Sequence, residues 1–166
     1  LSTLGLITEA SQLSANSVEP GDGGGLAALI DGNKTTYCHS GYDDNSQPTL
    51  PDAEHYLQVA LKVPVQKFFI SLVGRSGAHD TPDSVTVWAT NDPTNEDSWT
   101  KIVILADLIN GDPNAPELTT PELDMGAAYS NVRFVVNRTT SQRQEGTHNR
   151  YFWNLAEFQM YQNLPD

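Results

Sequence analysis

Apolar and polar residues alternate along several short segments of the chain, and this alternation is the strongest structural signal in the sequence. In residues 56–63, leucine and valine occupy every second position, a period of two that is typical of a half-buried β-strand. Residues 67–73 are almost wholly apolar and predict a central strand. Pro64 lies between these segments and predicts the end of the first strand.

Further strands are predicted where β-branched and aromatic residues cluster between turn signals. These segments are residues 4–8, 12–16, 84–90, 99–105, 122–125, 131–137 and 151–161. The apolar spacing of the last segment would also allow a helix, but its aromatic content favours a strand. One helical turn is predicted over Leu26–Ile30, and loops are predicted over residues 20–25, 41–54, 74–83, 106–121 and 138–150.

About eight short strands without a long helix predict an all-β fold, an antiparallel β-sandwich or jelly roll. Function in such folds usually lies in the loops at one end. The 166 residues suit a single domain over residues 1–166. Because the chain begins with Leu1, we expect a processed protein or a domain excised from a longer chain.

The charge of the chain narrows the choice of partners. The formal net charge is −12, which repels phosphate backbones and anionic lipid headgroups, so nucleic acid and acidic membranes are poor candidates. No apolar run approaches the length of a membrane span. Cys38 is the single cysteine and cannot form an internal disulfide.

The segment Asp31-Gly32-Asn33-Lys34-Thr35-Thr36 places several oxygen-bearing side chains around a glycine turn. Calcium takes six to eight oxygen ligands, and a turn can supply several of them within a few residues. The alternative is an ordinary Asx turn without metal. An EF-hand is excluded, because position six is Thr36 rather than glycine and position twelve is Tyr42 rather than glutamate.

The segment Ala28 to Asn33, followed by Thr36-Tyr37 and His39-Ser40, resembles the opening signature of the discoidin domain family, also called coagulation-factor type C. The family-32 carbohydrate-binding modules are the members that the chain is most similar to. Residues 153–161 resemble the family's closing strand, residues 56–61 its first core strand, and residues 84–90 with 99–102 its central hairpin. The resemblance implies an eight-stranded jelly-roll sandwich with adjacent termini.

The resemblance also implies a structural calcium ion beneath the opening loop. The implied ligands are Asp31, Asn33, Thr36 and Glu157, with backbone carbonyl groups near Ala28 and Ala156. A cation would explain Glu157, because an unpaired carboxylate in an apolar strand is costly if it is buried. The alternative is that this glutamate faces solvent at a strand edge. Cys38 stands where the family usually has tryptophan, so other side chains must fill the space that the tryptophan occupies near the loop.

In the sugar-binding relatives, a shallow site at the loop end uses a histidine, an arginine, an amide and an aromatic face. The residues that match by resemblance are His39, Arg75 and Asp80, with His79 beside Asp80. The candidates for the aromatic face are Tyr42, in the loop after His39, or Tyr151, at the end of the last loop. An arginine fork can hold neighbouring hydroxyl oxygens, and an aromatic ring can cover the C–H face of a hexose. Each residue also has a structural alternative: a hydrogen-bonded histidine, solvated loop residues, or tyrosines that only pack.

The sequence therefore predicts a non-catalytic module that binds a terminal sugar of the galactose or N-acetylhexosamine type. The resemblance implies an extracellular, periplasmic or cell-surface location and neighbouring catalytic or surface domains in a glycan-degrading protein. A protein-interaction or adhesion module, or a spacer without a ligand, remains open. Lipid binding is disfavoured because the long loops are polar. Catalysis is disfavoured because Cys38 and His39 are adjacent in sequence and no acid pair stands out.

Overall fold

The computed structural model describes residues 2–48, 54–77, 80–109, 116–141, 144–145 and 150–165. Within this part the chain forms twelve strands and three short 3₁₀ helices. The strands are β1 (Ser2–Gly5), β2 (Leu13–Ala15), β3 (Cys38–His39), β4 (Tyr56–Val73), β5 (Pro82–Thr90), β6 (Thr100–Leu105), β7 (Glu117–Thr119), β8 (Leu123–Thr139), β9 (Gln144–Glu145), β10 (Arg150–Tyr151), β11 (Asn154–Leu155) and β12 (Glu157–Leu164). The 3₁₀ helices are Ala10–Gln12, Leu26–Ile30 and Glu96–Ser98. None of the described helices could span a membrane.

The strands form two antiparallel sheets that face each other across one core. The first sheet has the order β2-β4-β8-β5-β6, and the second has the order β1-β12-β4-β7. Strand β4 belongs to both sheets, because its first part pairs with β8 and its last part with β12. The predicted β-sandwich is therefore confirmed, and the pairing of Ser2 with Leu164 brings the described ends of the chain together.

The prediction that Pro64 ends a strand is wrong. Strand β4 runs unbroken from Tyr56 to Val73, and its register with β8 shifts between Ala60 and Val65. Proline has no N–H to donate to a ladder. Because Pro64 lies within the shifted stretch, where no β8 residue is its partner, the strand passes through it without losing a ladder bond.

Two further boundaries differ from the prediction. The segments expected at 122–125 and 131–137 are one strand, β8. The segment 106–121, expected to be loop, contains β7, whose Thr119 pairs with Ser71. Three residues are too few to show a period of two, so sequence patterning had no signal for β7. The closing segment is extended as predicted, but it is divided into β10, β11 and β12.

The core is centred on three phenylalanines, one from each of three strands. Phe134 of β8 packs edge-on against Phe68 of β4, with ring centroids 6.2 Å apart, and against Phe158 of β12, 5.2 Å apart. All three are at least 96% buried. Edge-to-face aromatic pairs contribute about 0.5–1.5 kcal/mol each beyond the burial of their area. This contact ties the two sheets together.

The opening loop is fixed against the closing segment by a small separate sheet. Strand β3 pairs antiparallel with β11, so that Cys38 lies opposite Leu155 and His39 opposite Asn154. Ser40 extends the contact, because its N–H donates to the Trp153 carbonyl at 2.8 Å and its hydroxyl accepts from the Trp153 N–H at 2.7 Å. Residues on both sides of β3 are therefore held in fixed positions at this end of the sandwich.

Candidate functional site

His39 lies at the centre of a group of three aromatic rings. Its ring is stacked on Phe152 with centroids 5.7 Å apart, and it meets the edge of Tyr42 at 4.9 Å. Its Nδ1 donates to the Ser40 carbonyl oxygen at 2.7 Å. The histidine is only 4% exposed, so the hydrogen bond and the two rings fix its orientation.

Arg75 follows the end of β4, and its guanidinium group lies over the ring of Tyr37. The guanidinium carbon is 3.7 Å from the ring centroid, a cation–π contact. No carboxylate among the described residues lies within ion-pair distance of Arg75. Several of its N–H donors therefore remain available to oxygen atoms of a ligand.

Asp22 connects the Arg75 side of the site to the His39 side. One of its carboxylate oxygens accepts from the Tyr37 hydroxyl at 2.5 Å, and the other accepts from the Tyr42 hydroxyl at 2.8 Å. The Tyr37 bond is the main reason that the pKa of Asp22 is lowered, and the charges of His39 and Arg75 contribute in the same direction. The same bond raises the pKa of Tyr37.

Asp22 and Tyr37 are not among the residues that the sequence predicted for this site. The available signal was an acidic residue inside the glycine run of residues 21–25. Gly23 has φ +97°, and a Cβ there would lie 2.6 Å from the Tyr37 carbonyl oxygen and 2.8 Å from its ring. The Gly24 N–H donates to that same carbonyl at 2.8 Å. The glycines thus allow the loop backbone to lie directly against Tyr37.

A second carboxylate fixes the loop that carries Tyr42. Glu19 is 9% exposed and accepts from the backbone N–H groups of Tyr42 and Asp43, at 2.8 and 3.0 Å, and from the Ser46 hydroxyl at 2.6 Å. Burial by itself would raise the pKa of Glu19, but these donors outweigh burial and lower it. The loop after β3 is therefore held by a buried anion.

The other predicted sugar-site residues are placed differently. Asp80 is 1% exposed, and its carboxylate accepts from the Ser141 hydroxyl at 2.5 Å and the Asn154 amide at 3.1 Å. It therefore lies in the interior behind His39, and contact between its carboxylate and a sugar stays a prediction. Tyr151 is half-buried against the core. His79 lies outside the described residues.

The candidate metal loop follows the 3₁₀ helix Leu26–Ile30. Asp31 accepts from the Asn33 N–H at 2.9 Å and from the Thr36 hydroxyl. The Asn33 side-chain oxygen is bonded to the N–H and hydroxyl of Thr35, and its carbonyl oxygen accepts from the Thr36 hydroxyl at 3.0 Å. Gly32 turns the chain with φ +74°. Carboxylate, carbonyl and hydroxyl oxygens, the ligand types that calcium takes, are thus close together in this loop.

Glu157 of β12 lies beside Asp31, as the resemblance implied. Its partial burial and the neighbouring Asp31 carboxylate raise the pKa of Glu157 to about 7. Its Oε1 is buried with no hydrogen-bond partner. An orphaned carboxylate oxygen next to a second carboxylate is the arrangement that a cation stabilises, so these residues fit a calcium ion. The described residues hold no cluster of three or more histidine, cysteine or acidic side chains suited to a metal.

Cys38 does not provide a nucleophile. It is completely buried, and burial raises the pKa of its thiol to about 12. Because the thiolate is the reactive form, this cysteine acts as a small core residue.

The F5/8 type C domain family matches residues 12–155. No curated protein sequence matches the chain. Among solved structures, the family 32 carbohydrate-binding module of Clostridium perfringens NanJ, in complex with galactose, has a TM-score of 0.62 and 17% identity over 97% of this chain and 100% of its own.

Two further structures have the same fold. A family 32 module from Clostridium perfringens, in complex with GalNAc-β-1,3-galactose, has a TM-score of 0.63 and 20% identity over 95% of this chain and 99% of its own. The C-terminal domain of a chitobiase from Bacteroides fragilis has a TM-score of 0.59 and 19% identity, over 91% and 93%. The family match covers most of the chain, and the chain therefore belongs to the F5/8 type C, or discoidin, domain family.

Proposed function

We propose that this domain is a non-catalytic carbohydrate-binding module that binds a terminal sugar of the galactose or N-acetylhexosamine type. The observation that carries the proposal is the arrangement of Arg75 and His39. The Arg75 guanidinium lies over Tyr37 and keeps N–H donors available to a ligand, and His39 contacts two rings, Tyr42 and Phe152. A hexose presents neighbouring hydroxyl groups to such a fork and an apolar face to a partly exposed ring such as that of Tyr42.

Solved relatives of the same fold support the sugar class. The family 32 modules named above were determined with galactose and with GalNAc-β-1,3-galactose. Because their identity to this chain is at most 20%, the choice of sugar rests on the residues of this site. We further propose a location outside the cytoplasm, next to catalytic or surface domains of a glycan-degrading protein.

We also propose a structural calcium ion at the Asp31–Glu157 pair. The ion would be held by these carboxylates and by oxygens of the Ala28–Thr36 segment and Ala156. It would remove the cost of the orphaned Glu157 oxygen and would fix the opening loop to β12. Its role would be to stabilise the fold, because the sugar-site groups are separate side chains.

The main alternative is a protein-interaction or adhesion module. It receives less support, because a protein interface favours a broad surface with an apolar centre. The site instead contains the Arg75 guanidinium, which has N–H donors available to a ligand, close to the rings of His39, Tyr42 and Phe152. A spacer without a ligand would not need unpaired guanidinium donors held in a fixed position.

The proposal is tested by calorimetry with galactose, N-acetylgalactosamine and N-acetylglucosamine in calcium buffer. We expect saturable heat with one of them, and loss of that heat in Arg75→Ala. The matched control is Arg133→Ala. Arg133 is also stacked on rings, 4.0 Å from Tyr56 and 4.2 Å from Trp99, but on β8 away from the site.

Circular dichroism of each variant would verify that it is folded. Heat that vanishes in Arg75→Ala and persists in Arg133→Ala would support the site. Absence of heat at millimolar sugar in the wild type would refute binding of single terminal sugars of this class. Equal loss of heat in Arg75→Ala and Arg133→Ala would contradict the proposed location of the sugar site at Arg75.

A further inference from the structure

Asp22 lies between the two halves of the proposed sugar site. Each of its carboxylate oxygens accepts from a different tyrosine hydroxyl, Tyr37 at 2.5 Å and Tyr42 at 2.8 Å. The Arg75 guanidinium lies over the Tyr37 ring, and the Tyr42 ring contacts the His39 ring. One carboxylate is thus the shared anchor of the arginine half and the histidine half.

We infer that Asp22 is the positioning residue of this site, holding Tyr37 and Tyr42 so that Arg75 and His39 face the same ligand. The inference rests on the proposed sugar-binding function. Asp22 would act through the two tyrosines, and its removal would allow both phenol rings to rotate away from the groups that they support.

The local backbone supports this role. The Tyr37 backbone is bonded to Gly24, and Gly23 leaves no room for a side chain between the loop and the tyrosine ring. The loop places Asp22 next to Tyr37, and the conformation of this loop itself depends on contact with Tyr37. Tyr42 is fixed from the other side, because its backbone N–H is bonded to Glu19.

The geometry also allows a positioning role of Asp22 to be distinguished from a role of its negative charge. Asparagine has the same shape as aspartate, and it could accept from one tyrosine hydroxyl while its amide donates to the oxygen of the other. A positioning role therefore predicts that Asp22→Asn keeps the site and that Asp22→Ala loses it. A purely electrostatic role would make both variants fail alike.

The first measurement needs no sugar. The Arg75 Nε–H signal in an NMR spectrum reports stacking on Tyr37, because a proton above an aromatic face is shifted upfield. We expect this signal to move toward the position of an unstacked arginine in Asp22→Ala and in a Tyr37→Leu reference, and to stay in place in Asp22→Asn. An unmoved signal in folded Asp22→Ala would overturn the inference.

The second measurement is sugar affinity. Loss of an ordered cation–π support should weaken binding by about 3- to 30-fold in Asp22→Ala, while Asp22→Asn should stay within about 3-fold of the wild type. Tyr42→Phe removes the second hydrogen bond to Asp22 and should have an intermediate effect. Asp22→Asn binding as weakly as Asp22→Ala would overturn the positioning role.

The two proposals fail differently. A wild type that binds none of the sugars would refute the proposed function, and the Arg75 signal would still decide whether Asp22 holds the arginine. A wild type that binds sugar, with Asp22→Ala unchanged in both affinity and NMR signal, would refute the role of Asp22 alone. Thermal unfolding of every variant would verify that the comparison is made on folded protein.

Discussion

The Asp31–Glu157 pair makes the stability of the calcium-free domain depend on pH in a direction that can be measured. The folded-state pKa of Glu157 is about 7, against an ordinary value of 4.5, because the carboxyl group is partly buried beside Asp31. Between these values the folded state holds a proton that the unfolded state has released. The free energy of unfolding therefore decreases as pH rises from about 4.5 to about 7, and it is constant above that range.

The magnitude follows from the size of the shift. The full shift corresponds to roughly 3 kcal/mol, and screening by solvent around a partly exposed group reduces the expected loss to about 1–3 kcal/mol. The carboxylates of Asp22, Asp31 and Glu19 have lowered pKa values, so their contributions are lost only as pH falls below about 4.5. They do not obscure the window between pH 5 and pH 8.

The assay is urea unfolding of the wild type and Glu157→Gln at pH 5 and pH 8, in EDTA and in calcium. In EDTA we expect Glu157→Gln to match the wild type at pH 5 and to exceed its stability by about 1–3 kcal/mol at pH 8. In calcium the order at pH 8 should reverse, because the metal stabilises only the folded protein that retains the carboxylate. Exposed Glu54 provides the control substitution Glu54→Gln.

Two results would refute this reasoning. A stability difference between the wild type and Glu157→Gln that is the same at pH 5 and pH 8 in EDTA, as expected for the Glu54→Gln control, would mean that Glu157 is not held in a costly charged state. A Glu157→Gln variant that calcium stabilises as much as the wild type would mean that the ion does not bind through this residue.

Two further predictions concern residues near the site. Gly23→Ala should lower the melting temperature and weaken sugar binding more than Gly21→Ala does. Both glycines have positive φ, but only a Cβ at Gly23 would contact Tyr37. Equal effects of the two substitutions by thermal unfolding and calorimetry would show that backbone strain alone matters. Cys38 should not react with a thiol reagent at pH 8 in the native protein and should react fully in urea, because the thiol is buried with its pKa raised to about 12. The positive control is a Ser76→Cys variant, because position 76 is exposed. Rapid reaction of Cys38 in the native protein would contradict its burial.

Much of the fold could be predicted, because it depends on local patterns. The period of two in residues 56–63 places Leu57, Val59 and Leu61 on the buried face of β4, where they are found. Val63 breaks the pattern and is 69% exposed, since it lies where the register of β4 shifts. Such a shift depends on the partner strand, which the pattern of one strand does not describe.

The candidate site was only partly predictable, for a related reason. His39 and Arg75 could be named because they match a family pattern, and Tyr42 because it lies in the loop after His39. Asp22 and Tyr37 join the site through a contact between a glycine loop and a tyrosine fourteen residues after Gly23, which no short-range pattern predicts. Asp80 matches the same pattern but points inward, because Asn154 and Ser141 provide its hydrogen bonds.

The two candidate sites meet at one peptide bond, and this determines how far calcium can influence sugar binding. Thr36 donates to Asp31 in the metal loop, and the next residue, Tyr37, lies under Arg75. Tyr37 is also held by the Asp22 carboxylate and the Gly24 N–H, neither of which belongs to the metal loop. Without the ion, Thr36 keeps its hydrogen bonds to Asp31 and to the Asn33 carbonyl, and the supports of Tyr37 remain. Calcium should act mainly on the stability of the domain, and Asp22 should act mainly on its affinity for sugar.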